Sequence, residues 1–265
     1  MDLFHLDALT AFIGYISATL AVVFRLFHPK GPHIVSVLTL GCIAIIAHTL
    51  NTAEHLFNQE TINFSLPNVV SLVSLIITLT VTTLALRFKV NLLIPVTYVF
   101  AGVWQLIMVF MPQGNTVPII SGDLSVLSHI TFALIAYCVL VIATLFAFQV
   151  TYINMKLKSK NLAAVSHLPP LMQVETQLFM ILFIGTACLF LSELTGFIFL
   201  ENFISKENAH KTVLSMLALI GYFVILWGHF KQGWRGHKVL MMIVVATSLL
   251  TLAYFGSRFV KEFLL

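Results

Sequence analysis

Ten histidines stand in a chain otherwise poor in polar side chains. Imidazole both binds transition metals and carries protons near neutral pH. Their spacing sorts them. His28, His33, His167, His229 and His237 sit among Lys, Arg, Gly or Pro and read as solvated or headgroup-facing. His5 lies in an N-terminal tail. His48 falls in the last turns of an apolar run, and His55 follows it by seven residues, on the same face if the helix continues that far. His129 lies about one turn into a later run, after Ser121-Gly122-Asp123-Leu124-Ser125, and His210 opens another. The start of a helix carries partial positive charge, which disfavours imidazolium. His129 and His210 are therefore expected to stay neutral, the metal-binding form. Two such side chains on facing helices would ligate a haem iron from both sides, with the macrocycle between apolar walls. Lys211, beside His210, would pair with a propionate. The plainer reading of the same residues is histidine bridging helices by hydrogen bonds. Glu193, inside another apolar run, is expected to meet a neighbouring helix or water.

The elements that would hold these groups are membrane spans. Of the 265 residues, 59% are apolar and 9% charged, against about 25% charged in a soluble domain. The mean hydropathy is +1.01. Eight apolar runs are long enough to cross a bilayer, near 8–27, 34–51, 67–87, 92–111, 126–153, 177–200, 212–230 and 239–260. The expected fold is an all-α polytopic bundle forming a single membrane domain over residues 1–265. Ten of the fourteen Lys and Arg fall in connections 1–2, 3–4, 5–6 and 7–8; Lys206, Lys211, Arg258 and Lys261 fall on the other side. That bias puts both termini outside and brings His48, His129 and His210 to the outer layer. The basic residues are dispersed at helix ends, so they give no nucleic-acid signal. Cys42, Cys138 and Cys188 all lie in apolar runs without a CxxC or CxxCH pattern, which excludes a disulfide framework, a zinc ribbon or covalent haem attachment. The acidic N-terminus gives no sign of a cleaved leader.

The connections carry turn chemistry. Residues 58–67 and 111–118 read as loops on the same side. Leu168-Pro169-Pro170-Leu171 cannot continue a helix, and residues 172–178 are expected to enter the sixth span through an interfacial turn with Glu175 near the surface. No internal repeat is clear enough for an inverted-repeat transporter.

Several runs in fixed order resemble one family. They are Ala47-His48, Ser71-Leu72-Val73-Ser74, Leu127-Ser128-His129-Ile130 with Ala136-Tyr137, Leu168-Pro169-Pro170-Leu171 with Glu175, Leu194-Thr195-Gly196-Phe197, His210-Lys211-Thr212-Val213-Leu214-Ser215, Leu226-Trp227-Gly228, Gly233-Trp234-Arg235-Gly236 and Ala253-Tyr254-Phe255-Gly256-Ser257. Together they resemble the CcsA/HemX/YpjD family of cytochrome c assembly proteins, most like its YpjD-type bacterial inner-membrane members. The resemblance implies haem handling at the outer face of a bacterial cytoplasmic membrane. It implies non-covalent haem with His129 and His210 as axial ligands, His48 as a transient or alternative ligand and Lys211 as a propionate contact. Other cytochrome-assembly membrane proteins are the implied partners. The tryptophan-rich WWD segment of haem-presenting members is replaced by residues 201–210, which hold no tryptophan, and the terminal histidine of chloroplast-type relatives has no counterpart before Leu265. The chain also shows no nucleophile–base pair and no phosphate loop. A haem-binding accessory or regulatory protein, not an enzyme, is the resulting expectation. The alternatives are a small-solute or ion transporter using His48, Glu54 or Glu193, and a structural membrane partner without a ligand.

Overall fold

The computed structural model describes residues 3–25, 31–57, 62–111, 118–119, 124–160, 168–200, 209–256 and 259. His28, His167, the connection over 112–117 and residues 201–208 lie outside them. The described residues contain eight helices long and apolar enough to span a membrane. These are α1 (Leu3–Val23), α2 (Ile34–Phe57), α3 (Leu66–Ala85), α4 (Leu93–Phe110), α5 (Leu124–Lys158), α6 (Leu171–Phe199), α7 (Ala209–Gln232) and α8 (His237–Thr251), with a π-turn (Leu252–Gly256) continuing α8. In lipid each backbone amide must be satisfied within its own segment, so apolar runs of this length become helices.

The differences from the sequence expectation lie at the helix ends. Helix α2 continues to Phe57, so Glu54 and His55 are helical and His55 shares a face with His48. Helix α6 starts at Leu171, directly after Pro170, and no interfacial turn separates residues 172–178 from it. The amides of Gln173 and Val174 bond back to the Pro170 carbonyl, so the proline starts the helix instead of delaying it. The connections read as loops also pair: strand β1 (Ile62–Asn63) runs antiparallel to strand β2 (Pro118–Ile119).

The chain divides into two compact units, Met1–Ser121 with Ala163–Leu168, and Gly122–Leu162 with Pro169–Leu265. The first contains α1–α4. Helix α1 packs on α2 and α4, and α3 packs on the same two, so the four form a closed square. On α1 the buried residues Ala8, Ala11, Tyr15, Ala18 and Val22 recur at alternating spacings of three and four, the period of a helix seam. Trp104 pins α4 to the start of α3 by donating to the Pro67 carbonyl at 3.1 Å. The second unit contains α5–α8 in the same cyclic order: α5 packs on α6 and α8, and α7 packs on the same two. On α5 Ala136, Leu140, Ala143, Ala147 and Val150 form the matching seam.

Candidate functional site

The first unit buries a polar network around His48. Its Nδ1 lies 3.0 Å from the Tyr15 hydroxyl and its Nε2 lies 3.2 Å from Ser71 Oγ. Ser71 Oγ also meets Thr52 Oγ1 at 2.8 Å and accepts from Gln105 Nε2 at 3.0 Å. Tyr15 meets Thr78 Oγ1 at 3.2 Å, and Thr78 donates to the Leu75 carbonyl. Proton counting orders this chain, because each hydroxyl has one proton and two lone pairs. Thr78 spends its proton on Leu75, so Tyr15 donates to Thr78. Tyr15 must then accept from His48, which fixes the proton on Nδ1. Ser71 donates to Nε2 and accepts from Thr52 and Gln105. Both nitrogens of His48 are thus engaged, and the residue is fully buried. Tyr98 continues the polar seam by bonding Thr82 at 2.7 Å, while Thr82 donates to the Thr78 carbonyl. One loose end remains at the margin: Asn51 donates to Gln105 Oε1 at 2.8 Å, but its own buried Oδ1 has no hydrogen-bond partner among the described residues.

The second unit gathers polar groups at the end where α5 and α7 begin. His129 on α5 donates from Nδ1 to the Ser192 carbonyl of α6 at 2.8 Å. A carbonyl can only accept, so the lone pair of this imidazole sits on Nε2. The Ser192 hydroxyl in turn donates to the His129 carbonyl at 3.3 Å. Glu193 follows on α6, buried, with Ser215 of α7 against its carboxyl. Tyr254, on the π-turn, faces Ser192 and Glu193. Its ring stands 5.8 Å from that of Tyr137, whose hydroxyl meets Thr251 Oγ1 at 3.1 Å. All four corners of the unit therefore contribute.

His210 is the second residue of α7, with an exposed side chain; Lys211, beside it, is half-buried. Contacts of Thr247 on α8 with Thr144 of α5 and Tyr222 of α7 show both helices running against α8. His129 and His210 thus enter the same end of one square from opposite corners, whose axes are about 11–14 Å apart if neighbouring axes are 8–10 Å apart.

The opposite end of this unit is fastened differently. Gly233 and Gly236 take positive φ, folding Trp234 back onto α7. The indole lies so close to Gly228 that any β-carbon there would collide with it. His229 is not solvated as expected: it stacks on Phe179 at 3.3 Å and donates from Nδ1 to the Trp234 carbonyl. Glu175, expected near the surface, is buried and meets Arg235 at 3.3 Å. His33 and His237 are exposed, as their sequence context implies.

Sequence reasoning missed Ser192, Ser215 and Tyr254 as parts of the site. Tyr254 lies inside the motif Ala253-Tyr254-Phe255-Gly256, but nothing in the residues announces the π-turn that aims it. Among the described residues no group of three or more His, Cys, Asp or Glu is arranged to hold a metal ion. Donation from the far ring nitrogen to a backbone carbonyl, as His129 makes to Ser192, is the usual support of a metal-ligating histidine.

Fold and site define a polytopic helical membrane protein with an oriented histidine at one end of a four-helix unit. The chain belongs to the cytochrome c assembly family: it matches the family described as Cytochrome C assembly protein over residues 36–265. It is 37% identical over 257 residues to the inner membrane protein YpjD of Escherichia coli strain K12, covering 96% of this chain and 97% of that protein. The YpjD of Escherichia coli O157:H7 matches to the same extent. An Azospirillum brasilense protein, described as an uncharacterized 28.8 kDa protein in the nifR3-like 5' region, is 30% identical over 140 residues, 52% of each chain. No solved structure matches. The family and the eight apolar helices make this a multi-pass inner-membrane protein with a role in cytochrome c biogenesis.

Proposed function

We propose that the chain is a haem-binding accessory protein of cytochrome c biogenesis, without enzymatic activity, working at the outer face of the membrane. His129 and His210 would hold the iron, and Lys211 would face a propionate. Bound haem would supply a redox-active iron that could be stored, sensed or handed on. The observation that carries the reading is the His129–Ser192 bond, which fixes the imidazole with its lone pair on Nε2. His48 is left to the first unit, because binding iron would require it to give up Ser71 or Tyr15.

Hemin titration of the purified full-length protein tests this. The wild type should develop a Soret band with two-imidazole character. His129→Ala should lose most of it, and His129→Ala with His210→Ala all of it. A wild-type protein that stays colourless with added hemin, or a double variant that keeps the band, refutes the assignment.

A further inference from the structure

We propose that the groove between α7 and α8 holds one acyl chain of an anionic phospholipid, with the headgroup against Lys238 and Lys231. The groove has a volume of about 270 Å³, and every residue lining it is apolar. Gly221 and Ala246 form its floor: a β-carbon on Gly221 would stand 3.5 Å from that of Ala246, with nothing else within 4 Å beyond its own helix. Leu217 of α7 and Val245 of α8 are exposed and form its lips, so it opens toward lipid. Helix register carries it to one end of the unit. On α8 Lys238, Met242, Val245 and Leu249 follow at spacings of four, three and four, so all four lie in one stripe. On α7 Leu217, Gly221, Val224, Gly228 and Lys231 recur at four, three, four and three. The two stripes meet at the hairpin, where Trp234 lies on Gly228 and the Lys238 ammonium stands 3.4 Å over the indole ring.

The walls and the end of the groove select different halves of the occupant. No polar group lines the groove, so a carbonyl, hydroxyl or carboxylate inside it would lose its hydrogen bonds. A helix with its side chains is about 10–12 Å across, too thick to enter a groove of this size. An acyl chain is thin, flexible and apolar, and it satisfies the walls by dispersion contact alone. The end has the opposite character. Residues 209–256 contain no Asp or Glu, while the hairpin carries Lys231, Arg235 and Lys238, all exposed. Glu175 of α6 is held by Arg235 at 3.3 Å, and Lys231 and Lys238 meet no carboxylate among the described residues. The face of Trp234 takes one side of the Lys238 ammonium, which has three donors, and leaves the others for a phosphate oxygen. An indole is also the ring that favours the headgroup level of a membrane. Basic residues at helix ends attract anionic lipid over a broad surface; the groove gives one lipid a fixed place. The lipid site does not depend on haem.

The test is native mass spectrometry of the full-length protein in detergent, incubated with equimolar phosphatidylglycerol and phosphatidylcholine of identical chains. The wild type should retain one phosphatidylglycerol per chain, preferred at least about fivefold over phosphatidylcholine, the effect of one lysine beside an anionic headgroup. Lys238→Gln, at an exposed position, should lower that preference about fivefold. Gly221→Leu fills the groove and leaves every charge in place; it should abolish retention, and Val245→Phe serves should Gly221→Leu not fold. Lys160→Gln removes an exposed cation just beyond α5 and should change nothing. Equal retention of the two lipids by the wild type, or an unchanged preference in Lys238→Gln, would overturn the proposal. A filled groove that keeps the preference, or a Lys160→Gln variant that loses it as fully as Lys238→Gln, would overturn it too, since either would mean attraction by surface charge alone.

Discussion

The two four-helix units share one cyclic packing order but differ in how far their buried polar groups are linked to one another. Around His48 a directional run of hydrogen bonds carries every hydroxyl proton to an acceptor and ends on backbone carbonyls. Its loose end is the Asn51 amide oxygen, and elsewhere in the same unit Thr19 Oγ1 and Glu54 Oε2 are also buried without hydrogen-bond partners among the described residues. Around Glu193 no such run is formed: one carboxylate oxygen and the Tyr254 hydroxyl are without hydrogen-bond partners among the described residues. A connected network in a low-dielectric interior fixes one arrangement of its helices. The His48 network is therefore read as scaffold, and the proposed haem ligands lie in the other unit.

That contrast can be broken by substitution. The largest effect is expected from His48→Ala, which strands the Tyr15 hydroxyl and Ser71 Oγ in a dry core. It should cost about 3 kcal/mol of stability, measured by reversible denaturation in detergent, and leave the hemin Soret band intact. Wild-type stability with a lost Soret band would reverse the roles of the two units. Next is Gln149→Met in the second unit. Both amide atoms of Gln149 are buried without hydrogen-bond partners among the described residues. An apolar replacement of similar length should be neutral, or stabilising by up to about 1 kcal/mol. A clear loss of stability in the same assay would mean that Gln149 has a partner in the membrane and that this unit is less open than it looks. The smallest effect belongs to Arg235→Ala. Its side chain is 59% exposed and its bond to Glu175 is screened by solvent, so the loss should stay below about 1 kcal/mol and shrink further in high salt. A loss that ignored salt would show the fold-back at Trp234, not the charge pair, to be what Arg235 supports.

Parts of this were legible in the residues. Hydropathy located all eight spans, and the Pro169-Pro170 pair marked the break before the sixth. His129 and His210 each follow a connection and lie near the start of a helix, but so does His237, the first residue of α8, so that position alone does not single them out. What was not legible lies between helices. Tyr15, His48, Ser71 and Gln105 come from four different helices, and no local pattern announces that they meet. Glu175 reads as a surface carboxylate until the turn at Gly233 and Gly236 carries Arg235 to it. His229 reads as headgroup-facing until the absence of a side chain at Gly228 lets Trp234 fold back over it.

The sequence by itself determined how many helices there are and roughly where each runs, because a bilayer offers no other partner for backbone amides and carbonyls. Only the tertiary structure decided which imidazole is spent on holding helices together and which has its lone pair set by a backbone carbonyl. That choice depends on the rotation of each helix about its own axis. Rotation is settled by side chains on neighbouring helices, tens of residues away along the chain.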